Sequence, residues 1–223
     1  MKTMKGLDPM TLNVAPTIPD IPLPPKPWQT SPRFAEALWA AAIMFSGKLR
    51  KSTEIPYISH LLSTCSIALE HGAIEDEAIA ALHHDTIEDI LPTEKARAVV
   101  THFGQEVLRI VEACTDADTH PKPPWRERKE RYIAHLARID HAVLLVSASD
   151  KLHNARAIVA DLKLVGSSVW GRFSASREEQ LWYYRALVGA FRGNPNHDPA
   201  LVAELDLAVT ELERLATLTI SRG

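Results

Sequence analysis

Eight consecutive residues, Leu82-His83-His84-Asp85-Thr86-Ile87-Glu88-Asp89, follow directly on the apolar run Ala78-Ile79-Ala80-Ala81-Leu82, and this junction constrains the fold more than any other stretch. Two imidazoles and three carboxylates are delivered by a segment whose other residues belong in a core. On a helix, residues three and four apart share a face, with Cβ atoms about 5–6 Å apart. That phase pairs His84 with Glu88, and Asp85 with both Glu88 and Asp89, so one imidazole and three acids are expected to converge on a single point. Bunched carboxylates repel one another and are costly to bury unpaired. A divalent cation removes both difficulties, so the stretch reads as part of a metal site with spare carboxylates beside it. A His-Asp dipeptide alone carries little weight. The second one, His197-Asp198, lies between Pro195 and Pro199 and reads as a surface turn.

The pattern around this stretch is helical from Ser31 onward. Ser31-Pro32 caps a run carrying Phe34, Leu38, Ala41, Ala42 and Phe45 on one face, ending near Gly47. Pro56-Tyr57 opens a second helix that His71-Gly72 closes, and Ile74 to about Thr86 is a third. Further helices start at Pro92, Glu106, Trp125, Arg177 and Pro199. Val143-Leu144-Leu145-Val146 resembles a buried strand, but its pattern continues through Ala148, Leu152, Ala155, Ile158 and Leu162 to Gly166, which makes it one long helix. No hairpin or alternating-strand signal is present, so the fold class is all-α. Residues 1–30, punctuated by seven prolines from Pro9 to Pro27, read as an extended or disordered arm, with a recognition arm as the alternative. Met1–Pro9 has the look of a leader ahead of Met10. Residues 31–223 then form one domain.

Composition narrows the function classes. A net charge of -3 gives no case for nucleic acid as the main partner, and no apolar run approaches the roughly 20 residues of a membrane span. Cys65 and Cys114 lie in apolar helical contexts and read as two reduced thiols, consistent with a cytoplasmic protein.

Two more segments supply partners for the His-Asp stretch. Asp150 follows Leu144-Leu145-Val146 on the long helix and so points inward, where acids are seldom unpaired. Asn154 shares its face one turn later. A pairing of Asp150 with Lys151 or Arg156 is the plainer alternative. His60 lies in the first turns of the second helix, where a satisfied core histidine is the plainer reading. Together His60, His84, Asp85 and Asp150 form a mixed nitrogen and oxygen set suited to Mn²⁺ or Fe²⁺, and less to Zn²⁺ because no cysteine contributes.

The order His … His-Asp … Asp resembles the HD phosphohydrolase superfamily. Arg50-Lys51, Pro56-Tyr57-Ile58 with His60, His84 to Asp89, Phe103-Gly104 and Asp150-Lys151-Leu152-His153-Asn154 are similar to the hydrolase domain of the Rel/Spo alarmone enzymes, and most of all to the stand-alone small alarmone hydrolases. The likeness covers roughly Phe34 to Phe191. It implies an all-α HD-domain bundle holding one Mn²⁺ and removing pyrophosphate from the 3′ position of (p)ppGpp. It also implies His60, His84, Asp85 and Asp150 as metal ligands, and Glu88 and Asp89 as the catalytic acidic pair. Arg50 corresponds to the residue that stacks on guanine, with Lys51 beside it, and Asn154 to a substrate-contacting residue. An aromatic near the nucleotide falls within Trp182-Tyr183-Tyr184, and Tyr184 is taken for it. Met44-Phe45 stand where the family commonly has Ala-His, Ser52-Thr53-Glu54 replace a usual Ser-Gly, and His83 replaces a usual Leu. These departures spare the expected metal set and bear on base preference. The alternatives are hydrolysis of (p)ppApp or of a 5′-nucleotide, or a nucleotide-binding module acting as antitoxin to an alarmone synthetase.

Overall fold

The structure is a computed structural model that describes residues 31–116 and 123–218. Ten α-helices and one 3-10 helix make up the described residues, with a single isolated β-bridge, Leu49 to Pro56. The arm expected over residues 1–30 lies outside them.

The helices are α1 (Pro32–Met44), α2 (Ile58–Glu70), α3 (Glu75–His83), α4 (Thr86–Asp89), α5 (Thr93–His102), α6 (Gln105–Cys114), α7 (Trp125–Leu136), α8 (His141–Val165), α9 (Arg177–Gly193) and α10 (Pro199–Leu218). The Ser31 hydroxyl accepts from the backbone N–H groups of Arg33 and Phe34 and so caps α1. Ser176 and Glu179 form a reciprocal capping box at the start of α9. Gly166 ends α8 with φ 62°, a conformation that favours glycine, and the 3-10 helix Gly166–Arg172 follows. His197-Asp198 is a structural device: the Asp198 carboxylate accepts from the N–H groups of Ala200 and Leu201 at the start of α10 and meets His71 Nδ1 at 3.2 Å.

Helix α8 is the axis of the bundle and packs against α2, α3, α6, α9 and α10. Its residues Val143–Asp150 are all buried, so it has no polar stripe there. A helix apolar all round belongs in the middle of a bundle. Leu61 of α2, Ile79 and Leu82 of α3, Ile110 of α6, Leu187 and Phe191 of α9 and Leu205 and Leu212 of α10 close the core around it. Cys65 is buried, Cys114 partly so, and both are unbridged.

One expectation needs correction. The third helix does not run on to Thr86: α3 stops at His83, His84 and Asp85 form a turn, and α4 restarts at Thr86. Asp85 has φ -95° and ψ -1°, between the helical and extended regions. The helix is therefore interrupted between His83 and Thr86, although the Asp85 carbonyl still accepts from the Asp89 N–H at 2.9 Å.

Candidate metal centre and cleft

The turn between α3 and α4, the start of α2 and the middle of α8 meet inside the bundle. His60 Nε2 lies 3.2 Å from His84 Nε2, 3.4 Å from Asp85 Oδ2 and 3.2 Å from Asp150 Oδ1. His84 Nε2 lies 3.2 Å from Asp85 Oδ2 and 3.6 Å from Asp150 Oδ1. The residues that sequence reasoning grouped as a ligand set are thus brought together from three elements. His60, His84 and Asp150 form a trio of buried donors, and Asp85 touches both imidazoles.

The donors fit a divalent ion. Neighbouring ligands about 2.1 Å from a common ion stand about 3.0–3.4 Å apart in tetrahedral or octahedral arrangements, close to the spacing seen here. His84 Nδ1 lies 2.8 Å from the Ala81 carbonyl. That carbonyl can only accept, so Nδ1 carries the proton and the Nε2 lone pair is left facing the cluster. Burial opposes charge on His84, yet Asp85 and Asp150 overcome it and raise its pKa well above the ordinary value. Burial likewise opposes charge on Asp150, and Lys151, His60 and His84 hold its carboxyl well below the carboxylate range.

Further residues support this set. The Tyr57 hydroxyl donates to Asp85 Oδ2 at 2.6 Å. Lys151 Nζ pairs with Asp150 Oδ2 at 2.5 Å, and Asn154 Nδ2 donates to Asp150 Oδ1. The pairing of Asp150 with Lys151 thus coexists with the cluster, while Arg156 pairs with Glu204. His153 Nδ1 stands 2.8 Å from His60 Nδ1. Burial, with His60 and Arg50 nearby, lowers its pKa to about 4. His153 is therefore neutral near pH 7 and can accept the His60 Nδ1 proton, leaving His60 Nε2 facing the cluster. Sequence reading overlooked Tyr57 and His153. Spacing on one element cannot reveal a partner on another.

The three acids of the stretch have different partners. Asp85 faces the imidazoles. Asp89 Oδ2 pairs with Lys48 Nζ at 2.8 Å, and Glu88 Oε2 accepts from the Asp116 backbone N–H at 3.4 Å.

A cleft of about 430 Å³ opens beside the cluster. Its lining includes the cations Arg50, Lys51, Lys129, Lys151 and Arg172 against a single acid, Asp161, and the aromatic rings of Tyr57, Trp125, Phe173, Tyr183 and Tyr184. Arg50 and Lys51 are presented by the loop between α1 and α2, which is folded back by Arg50 N–H to Ile55 carbonyl (2.8 Å) and Tyr57 N–H to Lys48 carbonyl (2.8 Å) hydrogen bonds. Arg50 Nη2 donates to the Asn154 side-chain oxygen Oδ1 at 2.8 Å, which joins the loop to α8. Tyr184 lines the cleft. Tyr183 lines it too, and its hydroxyl is buried without a hydrogen-bond partner among the described residues.

Residues 37–181 match the family model described as HD domain. The chain belongs to the HD-domain family. The HD dipeptide of the name is His84-Asp85. A guanosine-3′,5′-bis(diphosphate) 3′-pyrophosphohydrolase of Xenopus tropicalis is 39% identical over 138 residues, covering 60% of this chain and 72% of the relative. Its Homo sapiens counterpart is 37% identical over 124 residues, covering 54% and 66%. The bifunctional (p)ppGpp synthase/hydrolase SpoT of Escherichia coli is 30% identical over 132 residues, 56% of this chain but 18% of that protein. Among solved structures, a metazoan ortholog of SpoT that hydrolyses ppGpp superposes with TM-score 0.67 at 26% identity, over 83% of this chain and 98% of the other. A protein of Listeria monocytogenes superposes with TM-score 0.59 at 26% identity, over 71% and 99%. HD-domain hydrolases depend on a metal, in keeping with the buried cluster.

Proposed function

We propose that this HD domain hydrolyses the 3′-diphosphate of ppGpp and pppGpp, releasing pyrophosphate and leaving the 5′-phosphorylated guanosine. The observation that carries this reading is the buried imidazole and carboxylate cluster opening onto a cleft with five cations in an otherwise acidic chain. A nucleotide bearing two phosphate chains is a ligand whose charge such a cleft offsets. The relatives named for 3′-pyrophosphohydrolysis support it.

In this reading His60, His84, Asp85 and Asp150 hold one Mn²⁺. When bound, the ion lowers the pKa of coordinated water and polarises the phosphoryl oxygen. Glu88 and Asp89 position the attacking water and take its proton, a role worth about 10²–10⁴-fold. Lys151, Lys51 and Lys129 offset the phosphate charge, Arg50 stacks on the base, and Asn154 fixes Arg50 against α8. The Tyr183 hydroxyl, buried and lacking an acceptor, donates to a phosphate oxygen, while the Tyr184 ring flanks the nucleotide. The domain spans residues 31–223.

Asp89→Ala tests the acid–base assignment. It should lower ppGpp turnover at least a hundredfold while leaving bound manganese near one per chain. Unchanged turnover would refute the assignment. Product analysis tests the reaction itself: pyrophosphate from the 3′ end supports it, and orthophosphate from nucleoside monophosphates overturns it.

A further inference from the structure

Helix α8 forms a ruler along the cleft. Asp150 sits at the metal cluster, and Asn154, Ala157, Ile158 and Asp161 line the cleft at successive turns. Asp161 lies eleven positions after Asp150, about 16 Å along the axis at 1.5 Å per residue. At that far position the Asp161 carboxylate receives Arg172 Nη1 at 2.6 Å. Arg172 closes the 3-10 helix that follows Gly166, and its side chain is 22% exposed.

Arg172 differs from three of the other cleft cations, while the fourth, Lys51, lies beside Arg50 on the loop between α1 and α2. Lys151 and Arg50 are tied to the cluster itself, through Asp150 and Asn154. Lys129 is held by Asp116, which it meets at 2.7 Å and shares with Arg128. Arg172 stands a full cleft length away, and Asp161 engages one of its amino groups, whereas a guanidinium carries five N–H donors in a planar fork. The ion pair holds the side chain in place and leaves the rest of the fork for a ligand. Phe173, next in sequence, also lines the cleft. A diphosphate reacting at the cluster does not need a fixed cation so far off. A second phosphate chain, extended away from the reacting one, does.

We infer that Arg172, oriented by Asp161, binds the terminal phosphate of the substrate's 5′ chain and makes this domain select nucleotides carrying two or more phosphates there. This rests on the proposed 3′-pyrophosphohydrolase reading. Arg172 is a binding residue, and Asp161 acts through it as a positioning residue.

The test compares ppGpp with the analogue that has a single 5′-phosphate, both as substrates of the manganese-loaded enzyme and as ligands of the chelator-treated protein. For the native chain, the diphosphate should bind about tenfold or more tightly, the scale of one charge-assisted hydrogen bond set. Arg172→Gln should raise KM and Kd for ppGpp about tenfold, leave kcat within twofold, and leave the monophosphate analogue unaffected, so that discrimination disappears. Arg172→Lys should restore part of it. Equal affinity of the native chain for both ligands, or an Arg172→Gln loss shared by both, would overturn the inference. Failure of the native chain to release pyrophosphate would instead sink the underlying reading, and the binding comparison then still decides what Arg172 does.

Discussion

At the scale of single residues the site depends on tautomers. His84 presents Nε2 because its Nδ1–H is given to the Ala81 carbonyl, and His60 presents Nε2 when its Nδ1–H is given to His153. Removing the acceptor on His153 leaves His60 able to flip its proton onto the wrong nitrogen. Losses of this kind cost about 10–100-fold in metal affinity. His153→Phe should therefore weaken manganese binding by that factor in calorimetric titration, with the stoichiometry still one per chain. An unchanged affinity would show that His60 is oriented by something else. The sequence made the cluster residues legible but left such supports hidden. Asp150 declared itself because it is an acid on an apolar helix, and Asn154 because it lies one turn on. His153 lies off that register and finds its partner on α2, and no spacing within α8 announces such a contact.

At the scale of elements, the helices were legible wherever a local signal ended them. Ser31 and Ser176 start α1 and α9, and Gly166 stops α8. The break between α3 and α4 carries no glycine or proline. It forms because tertiary partners outweigh the next helical hydrogen bonds. Tyr57 and both imidazoles engage Asp85, and His83 bridges Thr86 Oγ1 at 3.1 Å and the Ala37 carbonyl at 3.1 Å. Helix α8, by contrast, owes its place to packing. Leu152 is fully buried on it, between the turns carrying Asp150 and Asn154. Truncating a buried leucine to alanine costs about 2–5 kcal/mol through lost transfer energy and the cavity left behind. Leu152→Ala should lower the free energy of chemical unfolding by that amount. Because Asp150 is also held by Lys151, Asn154 and the imidazoles, manganese stoichiometry should survive. Loss of metal together with stability would mean that the core sets the site's geometry directly.

At the scale of the whole molecule, charge is divided: the chain is acidic in sum, yet the cleft is basic and the cluster beside it holds two carboxylates between two imidazoles. Such a division makes stability depend on pH in a definite direction. His83 is sealed in the core against the Phe103 ring, and burial, with His84 alongside, lowers its pKa to about 4. The ordinary histidine value is about 6.5. Between those two values the unfolded chain takes up a proton that the folded chain refuses. His83 therefore contributes its full share of stability above about pH 6.5 and loses it as the pH falls toward 4, up to about 3 kcal/mol in all. Asp150 is held below the carboxylate range, so its contribution is lost only at still lower pH. His84 has the opposite sign: its pKa is raised, so without a metal its contribution is present at low pH and fades as the pH rises through that value. Chelator-treated protein should accordingly lose unfolding free energy between pH 6.5 and 4.5, and His83→Leu should flatten that slope even if it shifts the absolute value. An identical slope in the variant would place the acid sensitivity elsewhere. Added manganese competes with the proton on His84, so its stabilising increment should grow from pH 6 to pH 8. A constant increment across that range would mean that His84 gives up no proton when the ion binds.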